Sequence, residues 1–267
     1  MTNFKVLDLF AGAGGMAEGF LQAGFSIPYA SDKSEQAALT YQYRHIDQLG
    51  HALKYFCGDI QELATEQKLK DFLDNDFNKI DVICGGPPCQ GFSMAGKRNP
   101  DDLRNQLVRS YINILKHVQP KYFVMENVVG ILSAKFSYYE GQSKIYENEL
   151  VTKVLIREFS EIGYTHVVIK TLDASDYGVP QRRKRVFFLG TRNDINELLI
   201  HPQPIQKEKI SAKQALSDLE NIEIGTKLDK YLKKATSEYQ FESRIGRTLK
   251  ADGSKVENKN LKNHETS

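Results

Sequence analysis

Short apolar runs rich in branched residues alternate along the chain with amphipathic stretches of helical length, the pattern of a mostly parallel sheet with helices on both faces. Val6 to Phe10 reads as a strand, Gly12, Gly14 and Gly15 as its turn, and Met16 to Ala23 as a helix closed by Gly24. Ile27 to Ala30 reads as the next strand. Ile80 to Cys84 is a strand that runs into Gly85-Gly86-Pro87-Pro88. Two prolines without amide hydrogens and two glycines stop it there, so a loop must begin. Over residues 103 to 118, Leu103, Leu107, Tyr111, Leu115 and Val118 share one helical face, and Pro120 ends that helix before a strand from Tyr122 to Met125. Leu150 to Ile162 with Gly163 is a further helix, and His166 to Leu172 and Val186 to Leu189 are further strands. His201-Pro202-Gln203-Pro204 is a linker signal, after which the sequence is mostly polar. The expected division is therefore a sheet-bearing domain over 1–200 and a different region over 201–267.

A chain of 267 residues with 40% hydrophobic and 26% charged side chains has enough apolar surface for one core of ordinary size plus part of a second domain. No run approaches the roughly 18 to 20 apolar residues of a membrane span, and MTNFKVLDLF is unlike a secretory leader, so a cytosolic protein is expected. Cys57, Cys84 and Cys89 do not form a disulfide framework, and no His/Cys cluster completes a zinc site around the last two. The net charge of +2 is uneven: residues 226–267 carry +4 and residues 1–225 carry −2. A basic tail is compatible with a polyanionic partner and equally with a solvated face.

Four features carry candidate chemistry. The turn Gly12-Ala13-Gly14-Gly15 lies between a strand and a helix, and Asp32 follows the second strand twenty residues after Gly12. Glycines admit a ligand close to the backbone, a helix N-terminus favours negative charge, and an acid after the second strand can bond ribose hydroxyls. That is a nucleoside-cofactor pattern, which a dinucleotide or a purely structural tight turn would also satisfy. Pro87-Pro88-Cys89-Gln90-Gly91-Phe92-Ser93 follows a strand end, where open α/β sheets bind ligands. Cys89 there is either a nucleophile beside a lid or an inert thiol. Glu126 and Asn127 end the strand that begins at Tyr122, along the same sheet edge. Gln181-Arg182-Arg183-Lys184-Arg185 places four cations at a strand entrance, where alternate side chains point in opposite directions.

Together Asp8-Leu9-Phe10-Ala11-Gly12, Gly58-Asp59-Ile60, Gly86-Pro87-Pro88-Cys89-Gln90-Gly91-Phe92-Ser93, Asp102-Leu103-Arg104-Asn105-Gln106-Leu107, Glu126-Asn127-Val128 and Gln181-Arg182-Arg183 resemble, in type and order, the motif series of the DNA (cytosine-5)-methyltransferases. The resemblance spans about residues 4 to 190. It implies a Rossmann-like S-adenosylmethionine-dependent methyltransferase fold, with S-adenosyl-L-methionine in the glycine turn in place of a dinucleotide. It assigns Phe10, Ala13, Gly14 and Gly15 to the methionine and adenine pocket. Asp32 would take the ribose hydroxyls, and Asp59 with Ile60 the adenine edge and face. Pro88 and Leu107 would close the pocket, and Lys33 stands where some relatives have an aromatic residue. Cys89 would be the nucleophile on cytosine C6. Glu126 would bind N3 and the exocyclic amine, Arg183 would hold O2, and residues 91–101 would close as a lid over a base flipped out of double-stranded DNA.

Full members of that family continue into a target-recognition region and a closing helix that this chain lacks, so residues 201–267 are expected to be a linker and an incomplete start of that region. A truncated form and a naturally split enzyme with a second, recognition-bearing subunit both fit. The resemblance further implies a bacterial, cytoplasmic setting in a restriction-modification system, with no metal and no membrane. An RNA cytosine methyltransferase, a decayed non-catalytic relative and an NAD-dependent oxidoreductase are the competing readings.

Overall fold

The computed structural model describes residues 4–88, 107–205, 208–219 and 233–244. Contacts divide the chain into two units, Met1–Thr171 with Arg185–Pro202, and Leu172–Lys184 with Gln203–Ser267. The first unit carries a seven-stranded sheet in the order β3-β2-β1-β4-β5-β9-β8. The strands are β1 (Lys5–Leu9), β2 (Ser26–Asp32), β3 (Lys54–Cys57), β4 (Val82–Gly85), β5 (Tyr122–Asn127), β8 (His166–Asp173) and β9 (Lys184–Thr191). The first five are parallel, and β9 runs antiparallel to β5, with Glu126 opposite Phe187 and Asn127 opposite Val186. Val6, Leu7 and Leu9 of β1 and Val82, Ile83 and Cys84 of β4 are buried, as a parallel sheet covered on both faces requires.

The chain lays down β1, β2 and β3 outward in one direction and then returns to place β4 on the other side of β1. Strand order thus reverses between β1 and β4, opening a crevice at their carboxyl ends. Alternation along β1 sends Leu7 and Leu9 into the main apolar cluster, with Ile83, Tyr111 and Met125, and leaves Asp8 on the opposite face. Helices α3 (Ile60–Leu63), α4 (Glu66–Leu73) and α5 (Leu107–Val118) pack on one another, while α1 (Gly15–Gln22) and α2 (Glu35–Gln42) pack on β2. A π-helical stretch, Tyr43–Gln48, continues α2. The expected helix over 103–118 is observed from Leu107; residues 103–106 lie outside those described.

Several elements escaped the sequence reading, among them the helices α2, α3 and α4. The antiparallel hairpin of β6 (Lys135–Glu140) and β7 (Ile145–Leu150), preceding α6 (Val151–Glu161), buries Phe136, Tyr139 and Tyr146 among polar neighbours without clean alternation. β3 is a short edge strand, half-exposed, with the sequence Lys-Tyr-Phe-Cys. In the second unit a turn at Ala174–Tyr177 is held by Asp173, whose carboxylate accepts from Ser175 N and Arg183 N. Lys209 bonds Ser175 and pairs with Asp176, and α7 (Ala212–Leu216), capped by Ser211, packs against α8 (Glu238–Arg244). Among the described residues no helix is long and apolar enough to cross a membrane, and no group of three His, Cys, Asp or Glu is placed to hold a metal ion.

Candidate active site

The crevice at the strand ends holds a cavity of about 570 Å³. Phe10 reaches it from the end of β1, Asp32 and Lys33 from β2, Asp59 and Ile60 from β3, and Pro88 and Leu107 from the chain leaving β4 and entering α5. Of the cofactor residues expected from sequence, those seven share this one wall. Ala13, Gly14 and Gly15 are not part of it; they form the turn behind Phe10, with Gly14 capping α1 at φ 93°. Phe10 itself is a non-glycine residue at φ 55°, a strained conformation costing on the order of 1 kcal/mol that ends β1 abruptly.

Asp32 organises the rim. One carboxylate oxygen accepts from Gly12 N and the other from Ser34 N, each at 2.8 Å, so the acid ties the glycine turn of β1 to the start of α2. Each oxygen keeps a second lone pair for a ligand hydroxyl. Asp59 caps α3 through Gln61 N at 3.1 Å, and its other oxygen receives the Lys33 ammonium at 3.0 Å. The backbone bond to Gln61, then Lys33, holds the Asp59 carboxyl below its ordinary range. Lys33 thus spans from one loop to the next as an exposed ion pair, of the kind worth about 0–1 kcal/mol.

Sequence reasoning missed Ser31. It is 1% exposed, it lines the cavity, and its hydroxyl has no hydrogen-bond partner. A buried hydroxyl is costly when unpaired, and this one borders a space that a polar ligand could fill. Its position immediately before Asp32 at a strand end was the available signal.

A second cluster adjoins the first along the sheet edge. Glu126 ends β5, and one of its carboxylate oxygens receives Arg185 Nε at 2.7 Å from the antiparallel strand β9. The other lies 3.0 Å from where a side chain on Gly86 would begin, so glycine at 86 leaves room for the acid. Asn127 donates to Pro87 O at 3.2 Å and accepts from Val128 N, tethering the segment that leads to position 89. Arg183, expected to hold the cytosine O2, belongs to the second unit, where its backbone bonds Asp173 and Ala174. The cation that the structure sets on Glu126 is Arg185, two residues further along the same basic run.

Cys89 and the expected lid at 91–101 lie outside the described residues. The other cysteine of that region, Cys84, is fully buried in β4, and burial raises its thiol well above the usual range, which suits a packing residue and not a nucleophile.

An open α/β sheet with a nucleoside-sized cleft at its switch point, and an acid and a guanidinium beside it, defines the class: a Rossmann-like methyltransferase fold. The family model for C-5 cytosine-specific DNA methylase matches residues 4–266, and the chain belongs to that family. It is 37% identical over 250 residues to the Type II methyltransferase M.DdeI of Desulfomicrobium norvegicum, a match covering 91% of this chain and 55% of that protein. It is 35% identical over 214 residues to the Type II methyltransferase M.AquIA of Picosynechococcus, covering 79% of this chain and 80% of the relative. The crystal structure of a DNA modification methyltransferase encoded within an Escherichia coli prophage superposes with a TM-score of 0.64 at 31% identity, covering 82% of this chain and 56% of that one. The chain therefore spans about half the length of M.DdeI and of the prophage protein, and most of the length of M.AquIA.

Proposed function

We propose that the chain is the catalytic part of a DNA (cytosine-5)-methyltransferase that uses S-adenosyl-L-methionine, working in the cytoplasm of a bacterium as part of a restriction-modification system. The observation that carries this reading is the convergence of Phe10, Asp32, Lys33, Asp59, Ile60, Pro88 and Leu107 on one cavity at the strand-order reversal. Its volume falls within the roughly 300–1,000 Å³ of small-molecule sites. The wall offers what the cofactor needs: acids at 32 and 59 for hydroxyl and amine donors, the apolar faces of Phe10, Ile60 and Leu107, and the unpaired Ser31 hydroxyl. Ala13, Gly14 and Gly15 would support the wall from behind. When bound, S-adenosyl-L-methionine supplies an electrophilic methyl group.

Cytosine C5 is a weak nucleophile, and the protein's task is to activate it. Cys89, as thiolate, adds to C6 and makes C5 enamine-like. Glu126 holds N3 and the exocyclic amine as charge develops in the ring, and Arg185 fixes the orientation of that acid. Arg183 serves the cytosine O2 and favours the thiolate. After C5 has gained its methyl group a base removes the C5 proton, the C6–S bond breaks, and the thiolate is released. Asn127, bonded to Pro87 O, sets the approach of the nucleophile loop. The base must leave the duplex for this chemistry, with 91–101 closing over it. Sequence choice is assigned to a target-recognition region, carried either by a second polypeptide or by a longer form of this chain.

The test is transfer of tritiated methyl groups from S-adenosyl-L-methionine to duplex DNA by the chain mixed with the product of the adjoining reading frame. Cys89→Ala is expected to abolish transfer while calorimetry still finds cofactor binding. Substantial turnover by that variant overturns the mechanism, and transfer to RNA in place of DNA overturns the substrate.

A further inference from the structure

Behind the cavity, on the face of β1 away from the main core, lies a column of polar side chains for which the proposed chemistry has no use. Asp8 is 1% exposed, next but one to Phe10. One of its carboxylate oxygens accepts from Tyr41 Oη of α2 at 3.2 Å, and the Cys84 thiol lies 3.4 Å from the other. Tyr41 stacks on His45 of the π-helical stretch with ring centroids 4.1 Å apart. Both rings abut Gly14: a side chain built there would begin 3.1 Å from Tyr41 Cδ2 and 3.3 Å from His45 Nε2. The backbone of the glycine turn thus rests on an aromatic pair whose phenol is anchored on Asp8.

The surroundings of Asp8 favour its neutral form. The groups that act on it are Tyr41 from α2, Cys84 from β4 and Asp32 from β2; Tyr55 from β3 and Tyr111 from α5 in turn feel its charge, and none of these is a cation. Burial is the largest influence and pushes its carboxyl up to about 7, against the two hydrogen bonds. An anion here would draw water into the packing around Tyr41 and would repel Asp32, which fastens Gly12.

We infer that Asp8 is a positioning residue of the cofactor site: it anchors the pair of Tyr41 and His45 beneath Gly14, and its ionisation, by repelling the Asp32 that fastens Gly12, loosens the turn and weakens binding at the cavity. The inference rests on the cofactor reading above.

Calorimetric titration of the full chain with S-adenosylhomocysteine, which lacks the sulfonium charge, tests it between pH 6 and 8.5. Wild-type affinity is expected to fall on the order of tenfold across that range. Asp8→Asn is expected to bind with a nearly flat pH profile. Tyr41→Phe keeps the ring under Gly14 and removes one donor to the anion, so its affinity should fall at a higher pH than that of the wild type. Should Asp8→Asn fail to fold, this displacement of the midpoint carries the test. A wild-type profile retained in Asp8→Asn, or an unmoved midpoint in Tyr41→Phe, overturns the inference and leaves the cofactor reading standing. No binding by the wild type at any pH overturns both.

Discussion

At the scale of single residues, the unpaired Ser31 hydroxyl separates folding from binding. Removing a buried polar group that has no partner relieves a desolvation penalty, while removing a group that a ligand satisfies weakens that ligand. Ser31→Ala is therefore expected to leave the unliganded chain equal in stability or up to about 1 kcal/mol more stable in urea unfolding, yet to weaken S-adenosyl-L-methionine binding severalfold. Equal affinity for wild type and variant would take Ser31 out of the cofactor wall. Of the residues read by motif and placed on the wall, all but Leu107, which opens α5, stand at or just past a strand end, where glycine, proline and acid are conspicuous in sequence. Arg185 carries no such mark, and Ser31 only its place beside Asp32. Arg185 stands in a run of four cations, and which of them meets Glu126 depends on the antiparallel register of β5 and β9, which one sequence does not disclose.

At the scale of elements, the strand–turn–helix of β1 and α1 makes a narrow demand on its residues. Gly14 sits at φ 93° with Tyr41 and His45 at its back, so any side chain there is strained and crowded at once. Gly14→Ala is expected to lower stability by about 1–2 kcal/mol, read from the urea midpoint, and to weaken cofactor binding more than Gly24→Ala, which has the same hand of backbone but open space around it. Of the parallel strands, β1, β2, β4 and β5 were foreseeable because each carries a short run of apolar residues bounded by turn signals. The β6–β7 hairpin and the edge strand β3 were not, because half-exposed strands with mixed composition lack both the continuous run and the clean period of two.

At the scale of the whole molecule, two buried groups in one column titrate in opposing senses. The Asp8 carboxyl rises from 3.8 to about 7 on folding, so its contribution to stability is complete below about 4 and is lost as pH climbs towards 7. His45 is lowered from 6.5 to about 4, burial again leading, so its contribution is complete above 6.5 and is lost as pH falls towards 4. Over that shared window the two slopes offset each other. Relative to wild type, Asp8→Asn should gain stability as pH rises from 4.5 to 6.5, and His45→Leu should lose it. Urea midpoints for the two variants at several pH values in that range check the sign; parallel curves for both would show that neither group titrates on folding.

The same cavity also sets an order in time. Among the described residues its wall lies in the stretch from Phe10 to Leu107, whereas Arg185, the partner of Glu126, lies about 80 residues further on. At roughly 5–20 residues per second, translation delivers the wall several seconds to about 15 seconds before that arginine. A growing chain can in that interval fold around a small molecule, and be steadied by it, before the acid has its guanidinium. In the newborn protein, holding the donor would precede the means of using it.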